Sequence, residues 1–258
     1  MHALEELQVY YNSSKEGDIY HTVVGILLQN IHKISGCTIY DLADLCYVSP
    51  TTISRLSKKL GYSSFQEFKS SIVNAVKNYG ILNQYVSFQE KSRYENSVTA
   101  YLELLDLQIR CLKEEIDIYE LDKMAAVINA SRNIKFYTNG IIFAEHRFQG
   151  DLIMAGHMSE IKASPQEQIA DIPSLGKEDL VILISPVVHD AAYVLEVMEG
   201  IRKQGAGLFV MTDAQYPPYK KYADYYYGFE GALGIIDDYR FAMYLNLLSI
   251  RFRELYLS

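Results

Sequence analysis

Residues 38–69, TIYDLADLCYVSPTTISRLSKKLGYSSFQEFK, constrain the fold of this chain more than any other stretch, because three helix starts crowd into them. Thr38 with Asp41 three residues on gives a start resembling a capping box, for a short helix whose Ile39, Leu42, Ala43 and Cys46 share one face. Ser49 suits an N-cap and Pro50 the first helical position, where its missing N–H costs nothing, so a second helix begins a few residues after the first ends. On that helix Ile53, Leu56, Ser57 and Leu60 fall on one side and Thr51, Arg55 and Lys58 on the other. Gly61 supplies a left-handed stop, and Ser64 with Glu67 makes a capping box for a further helix carrying Phe65 and Phe68. The spacing predicts a helix-turn-helix.

The second helix of such a motif is built for a major groove. Thr51 and Thr52 stand beside unpaired backbone N–H groups that bind phosphate, and Arg55 and Lys58 lie on the face that meets base edges or backbone. With Thr38, Ser49 and Lys59 they make up the expected DNA-contacting set. The alternative is a surface helix with a solvated charged face. Tyr47 stands where many such turns place Gly, and a bulky residue resists a positive φ, so the turn is expected to be wound differently here.

At 258 residues the chain is long enough for two domains, and 49% hydrophobic with 22% charged residues is ordinary globular usage. No apolar run reaches the roughly 18 residues needed to span a bilayer, and MHALEELQVYY lacks the basic-then-apolar order of a signal peptide. A cytoplasmic protein without membrane contact is expected. Cys37, Cys46 and Cys111 include no C-x-x-C pair, and the histidines are scattered, so neither a disulfide framework nor a metal site is suggested. No cofactor is implied. The 24 bases and 32 acids give a net charge of −8. Residues 1–80 hold seven of each, so the whole excess lies beyond residue 80, and residues 55–77 carry five bases against one acid. A local basic patch of this kind is what phosphate binding requires.

Along the chain, residues 18–33 have Val23, Val24, Ile26, Leu27 and Ile31 at helical spacing, and residues 65–78 form another helix. Together with the helix-turn-helix they give an all-helical domain over residues 1–80. Residues 80–96 read as linker. Residues 98–116 resume a helical pattern with Leu102, Leu105, Ile109, Leu112 and Ile116 on a face that needs a partner subunit or the next domain, so residues 81–118 are linker and connector helix. From residue 133 the period changes. IKFYT (134–138), SEIKA (159–163), DLVILIS (179–185), GLFVMT (207–212) and DYYYGF (224–229) read as strands. Helices are expected at 121–130, 143–155, 190–203, 218–222 and 238–256. Strand and helix alternating this way predict a parallel sheet covered on both faces over residues 119–258. The last helix carries Phe241, Tyr244, Leu245, Leu248, Phe252 and Leu255, a face wider than one domain needs and so in part a dimer contact.

The two halves together resemble the RpiR family of bacterial transcriptional regulators, which join an N-terminal helix-turn-helix to a C-terminal sugar isomerase (SIS) domain. The residues that carry the likeness are the Thr-Ile start, Leu-Ala, Val-Ser, Thr-Ile-x-Arg, Lys-Lys-Leu-Gly and Phe-x-x-Phe-Lys of residues 38–69, followed by GKEDLVILIS, GIRKQGAGLFVMTD and KYAD. The resemblance implies an all-α helix-turn-helix domain plus an α/β three-layer SIS-like domain with a parallel sheet.

The same resemblance implies a ligand site at the strand ends, with Thr138, Asn139, Gly140, Ser185, Val187, His189 and Asp190 at its positions. There the chain departs from the family. Where the family has Gly-x-Gly-x-Ser, this chain has Thr138, Gly140 and Ile142. Where it has Ser-x-Ser-Gly-x-Thr, only Ser185 matches, with Val187 and Val188 replacing a hydroxyl and a glycine and Asp190 putting a carboxylate where a threonine would meet an anion. His189 beside Asp190 reads as helix capping rather than catalysis, and Glu145 with His146 as surface or interface residues rather than an acid/base pair.

The expectation is therefore a DNA-binding regulator, not an enzyme, acting as a homodimer or larger homo-oligomer on genes of carbohydrate metabolism. A sugar or sugar derivative is its possible effector. A sugar-phosphate isomerase, or a regulator whose second domain only dimerises, are the other readings.

Overall fold

The computed structural model describes residues 3–82, 85–138, 143–185, 191–212, 217–229 and 236–257, which fall into two compact units, Met1–Asn83 and Gln84–Ser258.

The first unit is helical: α1 (Ala3–Ser13), α2 (Ile19–Gln29), a 3-10 turn (Ile31–Gly36), α3 (Ile39–Leu45), α4 (Pro50–Lys59) and α5 (Phe65–Leu82). Its core joins Ala3 and Leu7 of α1 with Val23, Val24 and Leu27, Leu42 and Ala43, Ile53 and Leu56, and Phe68 and Ile72. Each pair sits at one, three or four residues' spacing, which puts it on a single helical face. The pattern over residues 18–33 predicts one longer helix, but α2 stops at Gln29. Asn30 ends it by donating its side-chain amide to the Ile26 carbonyl at 2.9 Å, competing with the backbone ladder. Cys46 packs in this core, and burial pushes its thiol up to about 11.

The second unit begins with α6 (Phe88–Lys91), within the stretch read as linker, and continues as α7 (Ser97–Glu115), α8 (Ile118–Ala130), β1 (Asn133–Thr138), α9 (Phe143–Met154), β2 (Met158–Lys162), α10 (Pro165–Asp171), β3 (Asp179–Ser185), α11 (Ala191–Gln204), β4 (Gly207–Thr212), α12 (Pro217–Tyr222), β5 (Tyr225–Gly228) and α13 (Ile236–Tyr256). The strands form one parallel sheet in the order β2-β1-β3-β4-β5. Every residue of the central β3 is buried, as a strand covered on both faces must be. Ile134, Phe136, Ile182 and Phe209 face α8, α9 and α13, while Tyr137, Val181, Leu183 and Val210 face α11 and α12. The result is a three-layer α/β unit.

Two apolar faces are used differently from the sequence pattern. On α7 the buried side is Ala100, Leu104, Gln108 and Leu112, while Leu102 and Ile109 are 58% and 43% exposed. On α13 five of the six expected apolar residues are consumed by the unit's own core, and only Leu255 is exposed.

Candidate functional site

The α3–α4 motif is built from local hydrogen bonds. Thr38 Oγ1 accepts from the Asp41 N–H at 3.2 Å and Asp41 Oδ2 accepts from the Thr38 N–H at 2.7 Å, a reciprocal capping box that holds the Asp41 carboxyl below its ordinary range. Ser49 Oγ accepts from the Thr52 N–H at 3.2 Å and lies 3.0 Å from Thr52 Oγ1, so α4 is capped at its first turn.

The turn between these helices corrects the expectation drawn from Tyr47. Its φ is 55°, in the left-handed region that glycine ordinarily fills. The Val48 N–H donates to the Ala43 carbonyl at 2.9 Å and the Tyr47 N–H to the Asp44 carbonyl at 3.1 Å. The same pair of bonds closes α4, from Tyr62 to Ser57 and from Gly61 to Lys58, with Gly61 at φ 90°. The turn is therefore wound in the ordinary way, and two hydrogen bonds hold a residue that resists it.

Beyond the turn, Thr51, Arg55 and Lys58 are exposed on α4 while Ile53, Leu56 and Ser57 are buried beneath them. Arg55 and Lys58 have no carboxylate partner among the described residues, so their charges are available to an external anion. Lys59 is placed apart from them. Its ammonium lies 5.3 Å from the Tyr10 ring centroid and 5.0 Å from that of Tyr20, against α1 and α2. A hydrogen bond with Tyr10 raises its pKa despite a small opposing effect of burial.

At the carboxyl ends of the strands, where open α/β sheets bind ligands, Thr138, Ser185 and Thr212 are all buried. Register places Ser185 opposite Thr212 and Thr138 opposite Ile184. Ser185 Oγ is sealed from solvent and has no hydrogen-bond partner among the described residues, an arrangement uncommon for a buried hydroxyl. Asn139, Gly140, Val187, His189 and Asp190 lie outside the described residues, as do Ile142 and Val188. Glu145 is fully buried and His146 exposed, so Glu145 is not the surface residue its position suggested.

Gln168 escaped the sequence reading. It donates to the Thr138 carbonyl at 2.9 Å and the Lys162 carbonyl at 3.1 Å, and accepts from Tyr193 at 2.8 Å, which ties α10 to the ends of β1 and β2. Ser164, Pro165 and Glu167 carry a legible helix start that would have placed it, and both bonds of that capping box form.

Comparison with known proteins places these features. Residues 1–78 match the model of the helix-turn-helix domain of the rpiR family. A curated relative is an uncharacterized HTH-type transcriptional regulator of Clostridium perfringens, 22% identical over 213 residues, covering 79% of this chain and 74% of its own. Among solved structures, the NanR protein of Vibrio vulnificus in complex with ManNAc-6P aligns over 98% of this chain and 92% of its own, with 16% identity and a TM-score of 0.53. The sugar isomerase domain of an RpiR transcription factor from Sphaerobacter thermophilus aligns over 60% of this chain and 90% of its own, at 14% identity and a TM-score of 0.49. The likeness to NanR extends through both units and is one of fold. What the match over residues 1–78 shows is a helix-turn-helix domain of the rpiR family at the start of the chain.

Proposed function

We propose that this chain is a cytoplasmic DNA-binding transcriptional regulator rather than an enzyme, with residues 1–80 as the reading head and residues 119–258 as a sensing or dimerising domain joined to it through residues 81–118. The observation that carries this reading is the pairing of an rpiR-type helix-turn-helix with Arg55 and Lys58, two exposed cations on α4 that have no carboxylate partner among the described residues. Ser49, Thr51 and Thr52 stand at the start of α4 and Thr38 at the start of α3, where backbone N–H groups favour phosphate. A homodimer fits this use, because two recognition helices about one DNA turn apart read a palindromic site.

Duplexes selected by the full chain from a random-sequence pool, followed by anisotropy titrations at several salt concentrations, test the assignment. Arg55→Ala is expected to cost about 1–3 kcal/mol on the selected site and to relax its sequence preference. No selected site, or unchanged binding by both Arg55→Ala and Lys58→Ala, would overturn it.

The effector is proposed to be a sugar derivative, in keeping with the ManNAc-6P held by the NanR protein. Val187, Val188 and Asp190 replace small or hydroxyl-bearing residues with bulk and a negative charge, which favours a neutral or cationic sugar over a sugar phosphate. Calorimetry with hexoses, hexosamines and their phosphates decides this. Micromolar binding of a phosphorylated sugar, lost in Ser185→Ala, would show that the anion site survives.

A further inference from the structure

A cavity of about 310 Å³ opens between the α7–α8 junction and β5. None of its lining residues belongs to the strand-end site. Its size falls at the small end of the roughly 300–1,000 Å³ typical of small-molecule pockets.

Its inner wall is aromatic and apolar. Tyr227 and Tyr244 stack there with ring centroids 3.9 Å apart, flanked by Phe209 and Met124. Tyr244 is only 8% exposed, yet its hydroxyl has no hydrogen-bond partner among the described residues. Burial keeps that phenol protonated well above its ordinary range, with the Tyr227 phenol and the Glu120 charge adding to the effect. The Tyr227 hydroxyl is already an acceptor, taking the Arg240 Nε–H at 3.1 Å. Tyr244 thus has a largely buried ring and a hydroxyl with no partner among the described residues, on a residue that lines the cavity.

The rim is acidic. Glu115 is matched by Arg240 and Asp224 by Arg202, which leaves Glu120 and Asp117, whose Oδ1 also accepts the Tyr119 N–H at 2.8 Å, with Lys123 as the one cation beside them on the lining. Lys123 reaches Glu120 only at 3.4 Å, between side chains that are both more than half exposed, a pairing too weak to neutralise the rim. Carboxylates at the mouth repel an anion, and aromatic rings behind them favour a cation.

We propose that this cavity is a binding site for a small organic ammonium ion, with the ammonium at the Glu120–Asp117 rim, an N–H donated to the Tyr244 hydroxyl, and the apolar body against Tyr227, Phe209 and Met124.

The test is calorimetry on the full chain with three molecules of one shape: 2-phenylethylamine, which is cationic, 2-phenylethanol, which is neutral, and phenylacetate, which is anionic. Choline and agmatine serve as further ammonium and guanidinium probes. The ammonium is expected to bind at least about tenfold more tightly than phenylacetate, a difference of about 1.4 kcal/mol. Tyr244→Phe removes only a hydroxyl with no partner among the described residues and Glu120→Gln only a surface charge, so both variants are expected to keep the wild-type circular dichroism spectrum while binding the ammonium several-fold more weakly. Absence of binding by all the cationic probes, binding that neither variant weakens, or tighter binding of phenylacetate would each overturn the proposal. Since the cavity shares no residue with the helix-turn-helix or the strand ends, these outcomes are independent of DNA binding.

Discussion

The Lys59 ammonium lies 5.0 Å from the centroid of the Tyr20 ring, held against α1 and α2, whereas Arg55 and Lys58 stand exposed with no carboxylate or ring partner among the described residues. Sequence alone treats Lys58 and Lys59 as equivalent members of one basic run, but one helical step of about 100° separates their directions. Lys58→Ala is expected to weaken DNA binding across sequences and to lower the salt slope by about 0.9. Lys59→Ala is expected to leave that slope nearly unchanged and to lower the melting temperature, because it removes the cation from between two rings. Anisotropy titrations from low to moderate salt, with thermal melts of the same variants, check both halves.

Tyr47 is the clearest case of a residue whose type signals the right cost and the wrong outcome. A side chain at φ 55° is strained, but the bonds from Val48 to Ala43 and from Tyr47 to Asp44, with α3 and α4 both docked on the core, over-determine the turn. The ring is 92% exposed and adds nothing to that core. Tyr47→Gly is therefore expected to stabilise the first unit by up to about 1 kcal/mol through relief of the left-handed strain. A higher urea midpoint for the variant, read by far-ultraviolet circular dichroism, is the outcome to look for.

The helix-turn-helix and the strand order were readable because their signals are local: caps at fixed spacing and alternating strand and helix periods. The buried face of α7 was not readable, because what buries it is distant in the chain. Gln108 looks like a surface residue, yet it is 3% exposed, donating to Asp237 at 3.2 Å and accepting from Arg240 at 3.2 Å. Arg240 also reaches Glu115 and lies 4.4 Å from the Phe229 ring centroid. No periodicity rule finds a helix face chosen by an arginine 132 residues away.

From that network, Arg240→Ala is expected to destabilise the second unit by about 2–3 kcal/mol, since it strands the Gln108 side-chain oxygen in the interior and removes the donor to the Tyr227 hydroxyl. The cost stays below that of a fully sealed ion pair because the Glu115 side chain is half exposed and can return to water. Glu115→Ala is expected to cost less for the same reason. Chemical denaturation of both variants gives the comparison.

Asp171 supplies a pH dependence. Burial alone would raise its pKa, but hydrogen bonds from Lys135 at 2.7 Å and Tyr137 at 2.8 Å, with the Lys135 charge and Ser174, outweigh burial and leave it below the ordinary carboxylate range. A depressed folded-state pKa means that the contribution is present above the unfolded value of about 3.9 and is lost as pH falls through the folded one. Asp171→Asn should be less stable than wild type at neutral pH, with the gap between their melting temperatures closing only in acid below about pH 4. A gap that closes on the alkaline side instead would contradict this sign.

Ser185 offers a prediction in which stability and function pull in opposite directions. Its hydroxyl is sealed within the sheet end, 1% exposed, with no partner among the described residues. A desolvated hydroxyl without a hydrogen bond costs about 1–3 kcal/mol, and alanine removes it while keeping the Cβ. Ser185→Ala is therefore expected to melt above wild type when no ligand is present. A ligand that uses the hydroxyl reverses the order, because binding stabilises only the protein that can bind. Thermal melts of both proteins against free hexoses and hexosamines are expected to show a ligand-dependent rise in wild type that the alanine variant lacks. If the variant melts higher and neither protein responds to any sugar, the strand end is only a scaffold and the sensing role proposed for this unit fails. If the variant melts lower without ligand, Ser185 is bonded in solution and the strand-end reading itself is wrong.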